Sequence, residues 1–240
     1  MANKKEIENS IQQEIGILEE ECKALYKAHQ AIQKWRISLG NRFKGYNTKK
    51  HGYVEGFGER LDRLFIDEKF SWLVFMTDNL SMIENIEDRI EKRMRKVMRK
   101  HPAREFFEHE PGCGPVIQTG LLGLIGSLSN FKRVSNLWSY AGQSVIDGVA
   151  VRKTKGEKIN WNPHLKELCW KYGVSIVKLK SIHAPRKLYE ERKKHELTKS
   201  VSAGQADNRA RRYVAKSLLK RLWQYGRGLQ NINQKTKVDV

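Results

Sequence analysis

Lysine and arginine are the side chains of this sequence whose type and spacing are most suited to chemistry, because they can bind the phosphates of a polyanion. The 240 residues include 46 Lys and Arg against 27 Asp and Glu, a net charge of +19. Residues 1–110 hold 21 basic and 19 acidic side chains, whereas residues 111–240 hold 25 basic and eight acidic ones. This asymmetry favours a nucleic acid as the partner of the second half, with an anionic membrane surface or mere solubility as alternatives.

The candidate cations form clusters along the second half. They precede a short helix predicted to bury Leu137, Trp138 and Tyr140, crowd a loop centred on Gly156, and continue along the last two helices. Such cations can grip a nucleic-acid backbone, and a solvated loop is the alternative. The predicted nucleic-acid-binding residues are Lys132, Arg133, Arg152, Lys153, Lys155, Lys158, Lys178, Lys180, His183, Arg186, Lys187, Arg192, Lys193, Lys194, Asn208, Arg209, Arg212 and Lys216.

A glycine-rich turn, Pro111-Gly112-Cys113-Gly114-Pro115, opens the second half before an apolar helix that runs through Leu124. Gly112 and Gly114 are predicted to bring the backbone close to a phosphate, where helix N-terminal amides face the anion. The alternative is that these glycines only make a tight turn, while Gly120 and Gly123 permit close helix packing. The spacing fits a helix-hairpin-helix-like element over 111–126.

Motifs for catalysis are weak. No carboxylates are spaced to converge from separate strands on metal ions, and no cysteines form a CxxC zinc pair. The glycines at 52, 56 and 58 have no following Lys-Ser or Lys-Thr, so a nucleotide P-loop is not indicated. Ser144, beside the turn at Gly142, is the one candidate nucleophile. We therefore expect no metal, no cofactor and no enzymatic activity.

Two long helices are predicted to position the first half. Apolar residues recur in steps of three and four over residues 11–39 and again over residues 72–97, where the pattern stops before His101-Pro102. A turn is predicted over residues 40–58, followed by a shorter helix over residues 59–70. The expected product is an antiparallel coiled-coil hairpin. Its apolar seam favours a homodimer, unless the seam is filled within one chain.

The second half is predicted to be helical, with one small β-hairpin over residues 145–160. A helix begins near Asn162-Pro163 and places Leu165 and Leu168 in the core, to which we also assign Trp170. A last helix, over residues 205–226, carries Arg209, Arg212 and Lys216 on one face. The predicted fold is mainly α, with a helical coiled-coil dimerisation domain over 1–110 and a basic nucleic-acid-binding domain over 111–240.

The cellular setting is predicted from three further features. The longest apolar stretch, residues 116–128, is shorter than the roughly 20 residues that a membrane-spanning helix needs. The N-terminus mixes lysine and glutamate without the apolar segment of a secretory signal. Three widely spaced cysteines suit a reducing compartment. We expect a cytoplasmic protein that does not bind a membrane.

One stretch of the second half resembles a known family. The strings at 111–115, 126–128 (Gly-Ser-Leu), 131–132 (Phe-Lys) and 137–142 (Leu-Trp-Ser-Tyr-Ala-Gly) resemble the C-terminal domain of insertion-sequence transposases guided by bridge RNA. The resemblance spans roughly residues 111–175. Those transposases supply a nucleophilic serine, usually followed by glycine, shortly after the Ala-Gly pair. This chain has Asp147-Gly148 there, with Ser144 displaced.

A helical coiled coil followed by such a domain also resembles the Nop proteins of box C/D ribonucleoproteins and the Tas proteins of tandem interspaced guide RNA (TIGR) systems. The resemblance implies a homodimer bound to a short structured guide RNA that pairs with target DNA. It further implies a member without its own nuclease domain, and leaves open the recruitment of a separate nuclease. The alternatives are a serine-dependent recombinase or transposase and a sequence-independent DNA-binding protein.

Overall fold

Helices form most of the molecule in the computed structural model, which describes residues 4–51, 71–199 and 201–235. Within these ranges β1 (Val145–Ile146) and β2 (Val149–Ala150) pair antiparallel, and a 3-10 turn covers Leu128–Asn130. The predicted mainly α fold and its small β-hairpin are confirmed. The α-helices are α1 (Lys4–His51), α2 (Ser71–Lys100), α3 (Arg104–Glu108), α4 (Pro115–Ile125), α5 (Val134–Tyr140), α6 (Pro163–Val177), α7 (Ala184–Leu197) and α8 (Ala203–Lys235).

The chain divides into two compact units, residues 25–95 and residues 1–24 together with 96–240. The predicted domain boundary at residue 110 followed the change in charge along the sequence, and it stays a prediction. No described helix is long and apolar enough to span a membrane.

In the unit of residues 25–95, α1 and α2 pack antiparallel. The buried His29 lies 3.4 Å from Glu87 and 3.5 Å from Glu91, and Arg36 donates to Glu87 at 2.6 Å. Arg36, which lies later in α1 than His29, thus contacts the earlier of the two glutamates of α2. The two helices therefore run in opposite directions, as in a helical hairpin. These contacts explain why charged residues interrupt the apolar pattern of both helices.

The turn predicted over residues 40–58 begins too early, because α1 continues through Gly40 to His51. A glycine costs a helix only about 1 kcal/mol, and no proline interrupts this segment. The remainder of that prediction, including the short helix at 59–70, lies outside the described residues.

The core of the other unit is built around α8, which packs against α5, α6, α7 and the 3-10 turn. Its buried residues Val214, Leu218, Leu219 and Leu222 recur in helical steps, as the sequence predicts. The helix continues past its predicted end at Gly226. A side chain at that position would collide with Leu128, so this glycine serves close packing rather than helix termination.

The first six turns of α1 belong to the same unit as α4. A Cβ atom built on Gly123 would lie 2.3 Å from the backbone nitrogen of Lys23, a distance that only a glycine avoids. Cys22, beside this crossing, is fully buried. Gly123 therefore has the close-packing role considered above. Through this contact the N-terminal segment of the unit packs against a helix that lies much later in the sequence.

The start of α6 follows the predicted capping signals. The Asn162 side chain accepts hydrogen bonds from the backbone N–H groups of His164 and Leu165, and Pro163 occupies the first turn. This cap satisfies donors that the helix itself leaves unpaired. It fixes where α6 begins, and therefore which of its side chains share a face.

His101, at the end of α2, provides a prediction about pH. The ring is 6% exposed, and its Nδ1 accepts a hydrogen bond from the Ala103 N–H at 3.1 Å. Burial lowers the pKa of His101 from 6.5 to about 4. Between those pH values the unfolded chain binds a proton that the folded chain does not, so stability falls as pH falls through this window. The full shift corresponds to a loss of about 3 kcal/mol.

The His101→Asn variant keeps a hydrogen-bond acceptor but cannot titrate in this range. Its unfolding free energy, measured in urea between pH 7 and pH 4, is expected to decline less steeply than that of the wild type. The matched control is His164→Asn, since His164 is exposed on α6. Equal pH slopes for wild type and the His101 variant would contradict this assignment.

Candidate nucleic-acid interface

A cleft of about 440 Å³ lies between the β-hairpin, one face of α6 and the first half of α8. The loop after β2 contributes Arg152, and α6 contributes Lys166 and Trp170. Successive turns of α8 contribute Arg209, Arg211 and Arg212, together with the polar Gln205 and Asn208. We call this set, with the adjacent Lys216, the cationic cleft.

Its cations repel one another. Burial, followed by the charges of Arg212 and Arg152, lowers the pKa of Lys166 below its ordinary value. Burial and the charges of Arg209 and Arg152 lower the pKa of Arg212. Burial, then Arg212 and Arg192, lower that of Lys216. Each lowered pKa means that the charged form is disfavoured in the empty cleft, a cost that a bound anion would remove.

Carboxylates do not neutralise the centre of the cleft. In the described part of the chain, no ion pair joins Arg152, Lys166, Arg212 or Lys216 to an acidic side chain. The Lys166 Nζ instead donates to the Val151 carbonyl. The centre therefore keeps its positive charge.

At one side of the cleft, a buried carboxylate holds two cations in place. Glu196 is 1% exposed and accepts from Arg209 at 3.0 Å and from Arg192. The hydrogen bond from Arg209, with the charges of Arg192 and Lys199, holds the pKa of Glu196 below its usual range. Asp207 pairs similarly with Arg211 at 2.8 Å. These pairs order the arginines without covering the central cations.

Three tryptophans accompany the cations. The Lys166 Nζ lies 4.4 Å from the Trp161 ring centroid, and the Lys216 Nζ lies 4.2 Å from that of Trp138. The Trp138 Nε1 donates to the Lys216 carbonyl at 3.0 Å, which fixes this ring beneath the ammonium group. Trp138 is only half-buried, whereas Leu137 of the same helix is fully buried as predicted.

Trp170 is 54% exposed and lines the cationic cleft, so its assignment to the core was wrong. The reason is helical geometry. Trp170 lies one turn after Lys166 and shares its face, while Leu165, Leu168 and Cys169 point into the core. An exposed indole among cations can stack on an unpaired base.

The structure brings together only part of the predicted binding set. Arg152, Asn208, Arg209 and Arg212 line the cationic cleft, and Arg192 and Lys216 lie beside it. Sequence reasoning missed Lys166, Gln143 and Gln205 in the lining and did not commit Arg211 to it. The signal that could have found Lys166 is its four-residue spacing from the Asn162 cap and from Trp170.

The other predicted cations lie elsewhere in the same unit. Arg186 is bound by Glu190 at 2.7 Å and by the Val177 carbonyl, and Lys193 lies 3.8 Å from Asp207. His183 lines a separate cavity of about 770 Å³, with Phe106 and Tyr225. The predicted residues exposed on loops and on the outer face of α7 are Lys132, Arg133, Lys153, Lys155, Lys158, Lys178, Lys180, Lys187 and Lys194.

Gly112 and Gly114 lie in the turn between α3 and α4, outside the lining of the cationic cleft. Gly112 has a φ of +82° and packs against α6, where a Cβ would lie 2.8 Å from Ile176. Gly114 caps α4, and its carbonyl accepts from the N–H groups of Ile117 and Gln118. Their predicted contact with phosphate stays a prediction.

Ser144, the candidate nucleophile, lies outside any catalytic arrangement of the described residues. The Ser144 Oγ lies 3.4 Å from the Ser139 Oγ, and no basic side chain of the described residues hydrogen-bonds to it. Across residues 4–51, 71–199 and 201–235, no three histidine, cysteine or acidic side chains are grouped to hold a metal ion. Cys22, Cys113 and Cys169 are buried free thiols.

The sequence matches no family model and no curated protein. The candidate site therefore has to be interpreted from its own chemistry.

Proposed function

We propose that this chain is a noncatalytic RNA-binding protein that holds a short structured guide RNA for RNA-guided recognition of DNA. The observation that carries the binding part of this proposal is the central charge of the cationic cleft. Burial and the charges of neighbouring arginines lower the pKa values of Lys166, Arg212 and Lys216, and none of these three or Arg152 has a carboxylate partner among the described residues. Phosphates would relieve that repulsion and release counterions as they bind.

The exposed Trp170 favours RNA with unpaired bases over an uninterrupted duplex. Cations along a groove bind any nucleic-acid backbone, but an aromatic ring between them adds stacking energy only where a base is free. Structured RNAs present such bases in loops and at the ends of stems. The guide role itself comes from the resemblance to Nop and Tas proteins, in which pairing by the RNA supplies sequence specificity.

The proposal includes a homodimer formed through the helical hairpin. In the unit of residues 25–95, Trp35 is 68% exposed, Ile37 51% and Met82 62%. Large apolar side chains exposed on long helices are typical of helix–helix interfaces between chains. The proposal places the protein in the cytoplasm and assigns DNA cleavage, where it occurs, to a separate nuclease.

The test is to purify the protein at low salt and analyse the nucleic acid that accompanies it. We expect RNA of uniform length, released by high salt, and an affinity for that RNA that decreases steeply with salt concentration. In competition, the same RNA should displace labelled probe better than duplex DNA of equal length.

Two results would overturn the proposal. Stronger competition by duplex DNA would make the chain a sequence-independent DNA-binding protein. Strand transfer in the presence of magnesium, abolished by Ser144→Ala, would make it a recombinase. Sequencing the bound RNA then tests the guide role, because a guide carries segments complementary to DNA.

A further inference from the structure

The β-hairpin exposes three apolar side chains. Val145 pairs with Ala150 and Ile146 with Val149, and only Asp147 and Gly148 connect the strands. Both connecting residues have positive φ angles, +49° and +77°. A two-residue turn of this kind matches the right-handed twist of the strands.

Three aliphatic side chains of this hairpin are exposed: Val145 by 48%, Ile146 by 62% and Val149 by 61%. Ile146 and Val149 are directly opposite each other across the strand pair, so they form one apolar ridge on the same face. Val145 points to the other face, because successive strand residues alternate. A two-stranded hairpin gains little stability alone, so exposing this ridge needs another explanation.

The position of the hairpin supplies that explanation. Gly148 and Val149 belong to the lining of the cationic cleft, and so does Arg152, two residues after the end of β2. Any polyanion held by Arg152, Arg209 and Arg212 therefore lies beside the Ile146–Val149 ridge. In a nucleic acid, the surfaces against which apolar side chains pack are the faces of unstacked bases.

We propose that the hairpin is a wedge that packs Ile146 and Val149 against an exposed base at the end of an RNA stem. This inference rests on the proposed RNA-binding function and specifies how the cleft selects its ligand. Cations of the cleft bind the RNA backbone on both sides of the stem end. The Ile146–Val149 ridge packs against the last base pair of the stem, where a further base pair would otherwise stack. Aliphatic side chains inserted at a base step act in this way in other nucleic-acid complexes.

The experiment compares wild type with the double variant Ile146→Thr/Val149→Thr. Threonine keeps the β-branched shape and the charge but replaces apolar groups with hydroxyls. Two RNA probes of equal length are used, a stem with a single-stranded tail and an uninterrupted duplex, each carrying 2-aminopurine at the equivalent position. The control is Ile182→Thr, since Ile182 is 75% exposed in the connection between α6 and α7.

Wild type is expected to bind the tailed stem more tightly and to change the 2-aminopurine fluorescence at the stem end. The double variant should bind the tailed stem about tenfold more weakly, since it loses apolar contact area. Its affinity for the uninterrupted duplex and the salt dependence of binding should not change. The Ile182 control should behave like wild type.

The outcomes separate the two proposals. If wild type binds neither RNA, both the RNA-binding function and the wedge are overturned. If wild type binds RNA with a steep salt dependence but the threonine variant matches it on both probes, only the wedge is overturned. If the variant instead changes the molecular mass of the protein in solution, the ridge is a protein–protein contact and the wedge is again overturned.

Discussion

Replacing Arg152 and Arg212 together with glutamate is expected to lower the affinity for RNA by about 100-fold. Both guanidinium groups border the cationic cleft, and neither has a carboxylate partner in the described residues. The exchange removes two of the proposed phosphate contacts and places negative charge where the phosphates are proposed to lie. Binding measured by fluorescence anisotropy, as a function of salt, should also show a shallower salt dependence.

The same variant is expected to be at least as stable as wild type. Burial, followed by the charges of Arg212 and Arg152, lowers the pKa of Lys166, so replacing the two arginines with carboxylates relieves the repulsive part of this effect. Loss of binding without loss of thermal stability would distinguish a binding site from a structural role. If the variant lost thermal stability as well as affinity for RNA, the conclusion that the cations of the cleft repel one another would be wrong.

The matched control is the double variant Lys187→Glu/Lys194→Glu, which changes the net charge by the same amount. Both lysines are exposed on α7, outside the lining of the cleft. We expect a much smaller loss of affinity, since only long-range electrostatics are changed. Equal losses for the two double variants would mean that overall charge, rather than the cleft, binds the RNA.

Replacing Arg221 with methionine is expected to destabilise the protein by about 2–4 kcal/mol, somewhat less than for a fully buried ion pair, because the Arg221 side chain is 36% exposed. Arg221 donates to Glu110 from Nε at 3.0 Å and from Nη2 at 2.8 Å. Glu110 is 8% exposed. Without the arginine its carboxylate would be buried with no opposite charge.

The dependence of this loss on pH provides an internal check. Burial already raises the pKa of Glu110, against the opposing effect of Arg221. In the variant the pKa should rise further, so the folded state holds a proton that the unfolded state releases above its ordinary pKa. Stability then decreases as pH rises, and the loss caused by Arg221→Met should be larger at pH 8 than at pH 5.

Urea unfolding at both pH values measures this effect, and Glu110→Gln in the variant background should restore part of the stability. The control is Arg104→Met, whose partner Glu108 is exposed and lies four residues away. Such surface pairs contribute less than about 1 kcal/mol. A comparable loss in both single variants would contradict the special role of burial at Glu110.

Local signals in the sequence predicted most of the helices. Proline after His101 ends α2, and Asn162-Pro163 begins α6, because these residues act on the backbone hydrogen bonds next to them. The turn predicted to begin at residue 40 was placed too early, because a glycine such as Gly40 weakens a helix without ending it. Helix ends set by packing, such as α8 beyond Gly226, depend on distant contacts with Leu128.

The sequence predicted a cluster of cations in the second half of the chain, but only some of the residues that line the cationic cleft. Arg209, Arg212 and Lys216 share a helical face that can be read from their spacing. The approach of Arg152 and Lys166 to that face depends on how the β-hairpin and α6 pack against α8. The position of Trp170 was missed because an aromatic side chain in an apolar helix is more often buried, whereas here it follows Lys166 on the open face.

The crossing of α1 and α4 at Gly123 has a consequence for biosynthesis. The N-terminal helix emerges from the ribosome about a hundred residues before the glycine on which it rests. Until α4 is made, the backbone at Cys22 and Lys23 lacks the close contact that Gly123 provides. Completion of that unit must therefore await most of translation, and contacts so remote in sequence slow folding.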